Sequence, residues 1–345
     1  MAFNAISRIS PSFVEPKIIT RYQQRSGAFA ALSTGGPQVK IGSEDLMVYQ
    51  LALDLRSQVS HGQSAYNEIG GPNFTTHQAQ AATYLVRSRA NFDHHDTAAA
   101  SGWNISLVDA NRKAMRGGIA QFARTALLYG VSPSKGEGLL NAVGATALTF
   151  PADAEGKTSV TGMDPAYQAQ EILTLIGDLQ SRINAVAQGA VRVVVLAPQR
   201  VIQAWKMKIV GLLSYQRPGA GTNSVSGTVD AVAAEGGADV YFAVDDTLIG
   251  KGQGGTDMVV IVAPELVNPQ EGPGTINTNE FATLQNFSED ATAQYFDMAA
   301  PREINSPMPG GATDMLLEQR MTAGWVKRPE ALTLLSVPYL EPSAG

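Results

Sequence analysis

"TALLYGVSPSKGEGLLNAVG", residues 125–144, closes an apolar helical stripe and opens a run of turns. Gly130, Gly136, Gly138 and Gly144 sit in or beside a loop that carries one lysine, Lys135. A glycine-rich loop with a lysine cradles phosphate when it follows a strand, opens a helix and reads GxxxxGK[ST]. Here Lys135 precedes Gly136, and no Ser or Thr follows to hold a metal. The loop follows a helix, and no helix N-terminus stands after it to supply backbone amides. The stretch reads as a joint in something larger, not as a nucleotide site.

Upstream of the joint, residues 106–129 form the clearest helix. Ser106 and Asp109 resemble a capping box with Asp in place of Glu. Val108, Met115, Ile119, Phe122, Ala126 and Tyr129 recur at helical spacing as one apolar stripe. Gly117 and Gly118 fall mid-helix, each costing about 1 kcal/mol relative to Ala, and mark an expected bend point. Gly130 ends the helix. A second helix is expected from Asp164, a natural N-cap followed by Pro165, to about Gln188, with Gly189 as its stop. Its buried face is Ile172, Leu175, Ile176, Leu179, Ile183 and Val186.

"VRVVVLAP" (191–198) is a buried strand by its β-branched run. "QRVIQAWKMKIV" returns to helix. Residues 214–237 read as a long, flexible, small-residue loop. "ADVYFAVDD" and "TDMVVIVAPEL" are strands joined by "TLIGKGQGG". Its Gly250–Gly255 stretch is a partial GxGxxG match that reads as a hairpin turn, since Gly supplies the positive φ such turns need. The C-terminal third reads as extended segments broken by Pro and Gly. Nearer the start, "DLMVYQLALDLR" (45–56) is a strand or short helix. The polar stretch after it, before "AATYLVRSRANF", suggests a projecting hairpin. Residues 1 to about 45 show no sustained period, yet Phe3, Ile6, Ile9, Phe13 and Phe29 are many apolar anchors for a tail. An arm along a neighbouring subunit fits them better.

The chain has 345 residues, 44% of them hydrophobic, enough for one large or two smaller domains. Only 16% are charged, where about a quarter is usual. A net charge of −6 argues against a dedicated nucleic-acid binder. With no cysteine, disulfides, thiolate metal sites and cysteine nucleophiles are excluded. No apolar run reaches the ~18 residues of a membrane span, and the N-terminus lacks a signal core.

The remaining chemical candidates are thin. Asp93, His94, His95 and Asp96 are adjacent ligand types, but metal pairs usually come at i, i+2 to i+4, and a solvated loop or helix start accounts for them better. His61 and His77 stand in the polar stretch. There is no GxSxG and no carboxylate pair apart from scattered surface acids. No catalytic, cofactor-binding or metal residue is assigned, and an enzyme is not expected.

The order of elements resembles the major capsid proteins of tailed bacteriophages, with the α+β fold named after the Hong Kong 97 phage. A long helix ends at a Gly loop and "GL-N", matched by Gly138, Leu139 and Asn141. A strand leads to a Pro-containing helix start, matched by Leu196 and Pro198. A late strand leads into "RP-A", matched by Arg328, Pro329 and Ala331. The resemblance covers roughly residues 45 to 340.

It implies an N-terminal arm over 1–45 and a peripheral domain over 46–130, with an extended loop at about 50–83 and a spine helix at 106–129. It further implies an axial domain over 131–275 and a second peripheral part over 276–345. The implied function is an icosahedral shell enclosing a double-stranded DNA genome, built in the host cytoplasm and located in the virion. The partners would be the chain itself in pentamers and hexamers, separate scaffolding, portal and decoration proteins, and packaged DNA through weak nonspecific contact, with no membrane and no cofactor. Some relatives cross-link through a lysine in the extended loop. No lysine lies between Lys40 and Lys113, so this shell should rest on noncovalent contacts or cement proteins. The alternatives are an encapsulin-like nanocompartment shell and, further off, an α/β enzyme.

Overall fold

The computed structural model describes residues 26–33, 36–57, 72–102, 106–183, 191–210, 224–266, 292–309 and 311–340. The first 25 residues of the expected arm, His61, Val186 and Gly189 lie outside them.

Period-two alternation builds the centre of the molecule. Three strands, β5 (Val191–Ala197), β7 (Asp257–Val262) and β13 (Leu332–Val337), are apolar on both faces. Successive side chains of a strand point to opposite faces, so each strand serves two cores. Val193, Val195, Val259, Ile261 and Leu335 enter one core, and Val194, Leu196, Val260, Val262 and Leu334 enter the other. Each fully buried Val, Leu or Ile contributes about 1.5–3 kcal/mol. The sheet order is β4-β13-β7-β5-β6, with β4 at Thr146–Thr149 and β6 at Ala238–Val244.

The first core is closed by helices α3 (Pro165–Arg182), α4 (Gln199–Met207) and α5 (Val225–Glu235). Trp205 of α4 is fully buried there. The second core is closed by α2 (Leu107–Tyr129) and by Met315, Leu317 and Met321 of a second sheet. That six-stranded sheet follows the order β1-β9-β11-β3-β2, with β10 beside β11. Its strands are β1 (Gln38–Val39), β2 (Met47–Ser57), β3 (Pro72–Phe92), β9 (Asp297–Met298), β10 (Arg302–Pro307) and β11 (Thr313–Thr322). Two short strands, β8 (Gln294–Tyr295) and β12 (Trp325–Val326), pair with each other. Helix α1 (His94–Ser101) follows β3.

Strand β3 is 21 residues long and changes partner midway. Its residues 72–82 pair antiparallel with β2, and residues 83–92 with β11. Residues 72–80 of the polar stretch are therefore themselves strand, paired with β2. The stretch 45–56, which sequence left between strand and helix, is strand from Met47.

Several expectations are corrected. Residues 225–235, read as flexible loop, are helical, because the Ser224 hydroxyl accepts the Gly227 amide as N-cap and Val225, Val229 and Ala233 form a buried stripe. The second helix ends at Arg182, with Ile183 as its C-cap, short of Gln188. Gly250–Gly255 is no hairpin turn: β6 and β7 do not pair, since β5 lies between them. The glycines at 250, 254 and 255 do take positive φ. On α2, Phe122 is 38% exposed, while Leu107, Ala123, Leu127 and Leu128 join the buried set. Small Ala123 and Ala126 allow close packing, and the bulky Phe122 stands at the stripe's edge. Helix α2 runs through Gly117 and Gly118 as one α-helix, and a Cβ at either would meet open space. Finally, β13 joins the sheet of β5 and β7, not that of β10 and β11.

Candidate functional site

The loop after α2 is tightly specified by its glycines. Gly130 takes φ 70° and Gly138 φ 90°, conformations that cost other residues about 1–3 kcal/mol. The two also pack backbone on backbone: a Cβ on Gly138 would lie 2.4 Å from the Gly130 nitrogen. The Gly138 amide donates to the Gly324 carbonyl, and Gly324 itself lies too close to Leu127 of α2 for any side chain. Asn141 donates through Nδ2 to the carbonyls of Tyr129 (2.9 Å) and Glu137 (3.0 Å). Leu139 is fully buried.

Two tyrosines tie this loop to both sheets. The Glu137 carboxylate accepts the Ser132 amide (2.7 Å) and the Tyr84 hydroxyl of β3 (2.7 Å). The Tyr129 hydroxyl donates to the Thr247 carbonyl (2.6 Å), in the turn after β6. Burial raises both phenols above their ordinary range. Gly144, three residues past the "GL-N" stretch, packs on Pro329 of "RP-A". Ala331 is buried beyond them, and its carbonyl accepts the Ala263 amide. The third pair, Leu196 and Pro198, lies elsewhere: Leu196 is in the second core, and the Pro198 carbonyl accepts the Val201 and Ile202 amides of α4.

Several amides of this loop are spent within it. Those of Val131 and Ser132 meet Glu137, and those of Lys135 and Gly136 meet Ser132 and Pro133. A carboxylate stands where a phosphate would need donors. The Asp93–Asp96 run is a helix start: Asp93 accepts the Asp96 amide (2.8 Å), and Asp96 accepts the Asp93 amide (3.3 Å). That bond from Asp96 is the main reason the Asp93 carboxyl lies below its ordinary range. The His94 and His95 rings lie 3.9 Å apart, and the carboxylates on either side are turned to backbone. Among the described residues, no three or more His, Cys, Asp or Glu side chains gather as a metal site. An open cleft of about 410 Å³ lies between α1 and the β10–β11 turn, lined in part by Asp93, His94, Thr97 and Thr313.

Charged side chains brace the frame. Asp257 of β7 is fully buried and holds Arg200 of α4 through Nε (2.6 Å) and Nη2, and Arg200 lies over the Tyr339 ring. Arg112 of α2 grips Glu303 of β10 with two bonds (2.9 and 2.8 Å). The Arg112 guanidinium holds the Glu303 carboxyl down to about 2. A depressed value means this pair's contribution is present above the ordinary carboxylate range and is lost as pH falls through about 2. Sequence reasoning missed Glu137, Asp257 and Asp245, because their partners lie up to 219 residues away.

Some large apolar side chains remain exposed. Met47, Tyr49 and Leu51 share one face of β2, and Leu51 is 70% exposed. Met207 and Ile209, at the end of α4, are more than half exposed.

No family model and no curated sequence matches this chain. Solved structures do. The chain in the capsid of Myoviridae phage XM1 is similar over 94% of this chain and 96% of its own, at 15% identity and a TM-score of 0.65. The chain in the capsid of cyanophage P-SCSP1u is similar over 95% and 93%, at 10% identity and a TM-score of 0.57. That in the capsid of an empty GTA particle is similar over 96% and 95%, at 11% identity and a TM-score of 0.54. The fold is the α+β, Hong Kong 97-like architecture of tailed-phage capsid chains.

Proposed function

We propose that this chain is the major capsid protein of a tailed bacteriophage, assembling with copies of itself into the icosahedral shell around double-stranded DNA. The observation that carries the reading is likeness over nearly the whole length of both chains to proteins that form capsids. A fold alone carries function weakly, but a shell's function is its assembly, and the fold supplies the surfaces. The role is structural. The Asp93–Asp96 run, the one candidate for chemistry, is taken up in capping a helix.

In this reading residues 46–130 and 276–345 form the peripheral domain, with β13 returning to the sheet of the axial domain, 131–275. Helix α2 is the spine. The β2–β3 hairpin is the extended loop, lying on an adjacent copy through the Met47–Tyr49–Leu51 face. Residues 1–45 are the arm. Pentamers and hexamers are the expected capsomers, with separate scaffolding, portal and decoration proteins as partners.

Purified chain, alone and coexpressed with candidate scaffolding proteins, is to be followed by sedimentation and negative-stain microscopy. Closed shells, or rings of five and six, are expected. A homogeneous monomer or dimer in every condition would overturn the reading.

A further inference from the structure

Residues 26–32 lie wedged between the two sheets, and their contacts divide between them. On one side, Ser26 forms a β-bridge with Asp245, and its hydroxyl donates to the Asp245 carboxylate at 2.6 Å. Asp245 is fully buried just past the end of β6 in the five-stranded sheet. A Cβ on Gly27 would lie 2.7 Å from the Val244 carbonyl oxygen, so the segment meets β6 more closely than a side chain allows. On the other side, the Phe29 ring packs 6.1 Å from Phe296, between β8 and β9, and Arg124 of α2 lies over the same ring at 5.6 Å. Ala28, Ala31 and Leu32 are buried in the core shared by the sheets. The chain then passes to β1, at the edge of the six-stranded sheet.

This attachment differs in kind from the joint at 130–144. It precedes every strand, so it can lift without breaking a ladder in either sheet. If Ser26 leaves, Asp245 keeps the Thr247 amide (3.0 Å) and hydroxyl (2.6 Å), so the carboxylate is not stranded. The seam is also imperfectly packed. A cavity of about 30 Å³ lies among Ser26, Gln121, Arg124, Thr125, Leu128 and Thr247, and Arg124 Nε is shielded there without a hydrogen-bond partner among the described residues.

We infer that residues 26–32 form a releasable latch that sets the angle between the two sheets, closed on β6 by Ser26 and Gly27 and on the Phe296 side by Phe29. Drawing the chain off β6 frees that angle while both sheets stay folded. The inference concerns the isolated chain, so its failure and a failure of shell assembly are read separately.

The absence of cysteine makes the test direct. Nitroxide labels go on Leu85→Cys in β3 and Leu148→Cys in β4, both exposed, and the distance between them is read by pulsed electron resonance. The parent should give one narrow distribution. Gly27→Val, which drives a side chain into the Val244 carbonyl, should speed amide exchange at residues 26–32 and shift or split the distribution. Ser26→Ala with Phe29→Ala is the gentler second variant, for use if Gly27→Val fails to fold. Fast exchange in the segment with an unchanged distribution would overturn the latch. So would failure of both folded variants to release the segment.

Discussion

The joint at 130–144, built of turns and single-turn helical segments, and the β2–β3 hairpin, built of two long strands, find their bonding partners in different places. The joint finds them within the chain. Gly130 and Gly138 abut backbone, several of its amides are used, and Tyr84 and Tyr129 bind it to each sheet. The hairpin has eleven paired residues in each strand, about 35 Å at ~3.3 Å per residue, and turns an apolar row outward. A lone two-stranded ribbon is marginal in water. In the proposed reading, folding finishes the joint, and the outward apolar row of the hairpin is left for a neighbouring copy to cover.

Substitutions can break this contrast. The largest loss of stability is expected at Gly138→Val, where a positive φ and a backbone contact at 2.4 Å coincide. A cost above about 4 kcal/mol is expected, seen as loss of soluble protein or collapse of the urea midpoint. Arg200→Met comes next, since it leaves the buried Asp257 with the Gly250 amide but no counter-charge. About 3 kcal/mol should be lost in urea titration. Gln294→Met should go the other way: the side chain is buried, and neither amide atom has a partner among the described residues. A gain of about 1 kcal/mol is expected, and a loss would reveal an unseen partner. Gly117→Ala and Gly118→Ala meet no neighbouring atom and should each raise the isolated chain's stability by up to about 1 kcal/mol. Smallest in stability is Tyr49→Ser with Leu51→Ser, within about 0.5 kcal/mol for each exposed site. That double variant should nonetheless abolish assembly in sedimentation. Assembly at parental yield would remove the hairpin from the contact surface.

Local signals made much of this legible. Ser106 and Gly130 bound α2, Asp164 and Pro165 start α3, and the valine run of 191–197 marks β5. Order and spacing were enough to suggest the capsid fold. Nonlocal pairing was not legible. Gly250–Gly255 has the glycines of a hairpin, and only the insertion of β5 between β6 and β7 shows otherwise. Helix α5 was hidden by small residues, although Ser224 and the Val225–Val229–Ala233 spacing were visible signals. At the joint, Gly130 was legible as the end of α2. Glu137 passed unnoticed because its Tyr84 partner is 53 residues away. Asp245 carried a local sign in Thr247, two residues on, but nothing pointed to Ser26.

Hydrogen exchange, measured on the same chain before and after assembly, tests the contrast most directly. The account predicts that amides of 47–57 and 72–82 gain protection on assembly, while those of 130–144 are equally protected in both states. Gained protection at the joint, with none along the hairpin, would contradict it.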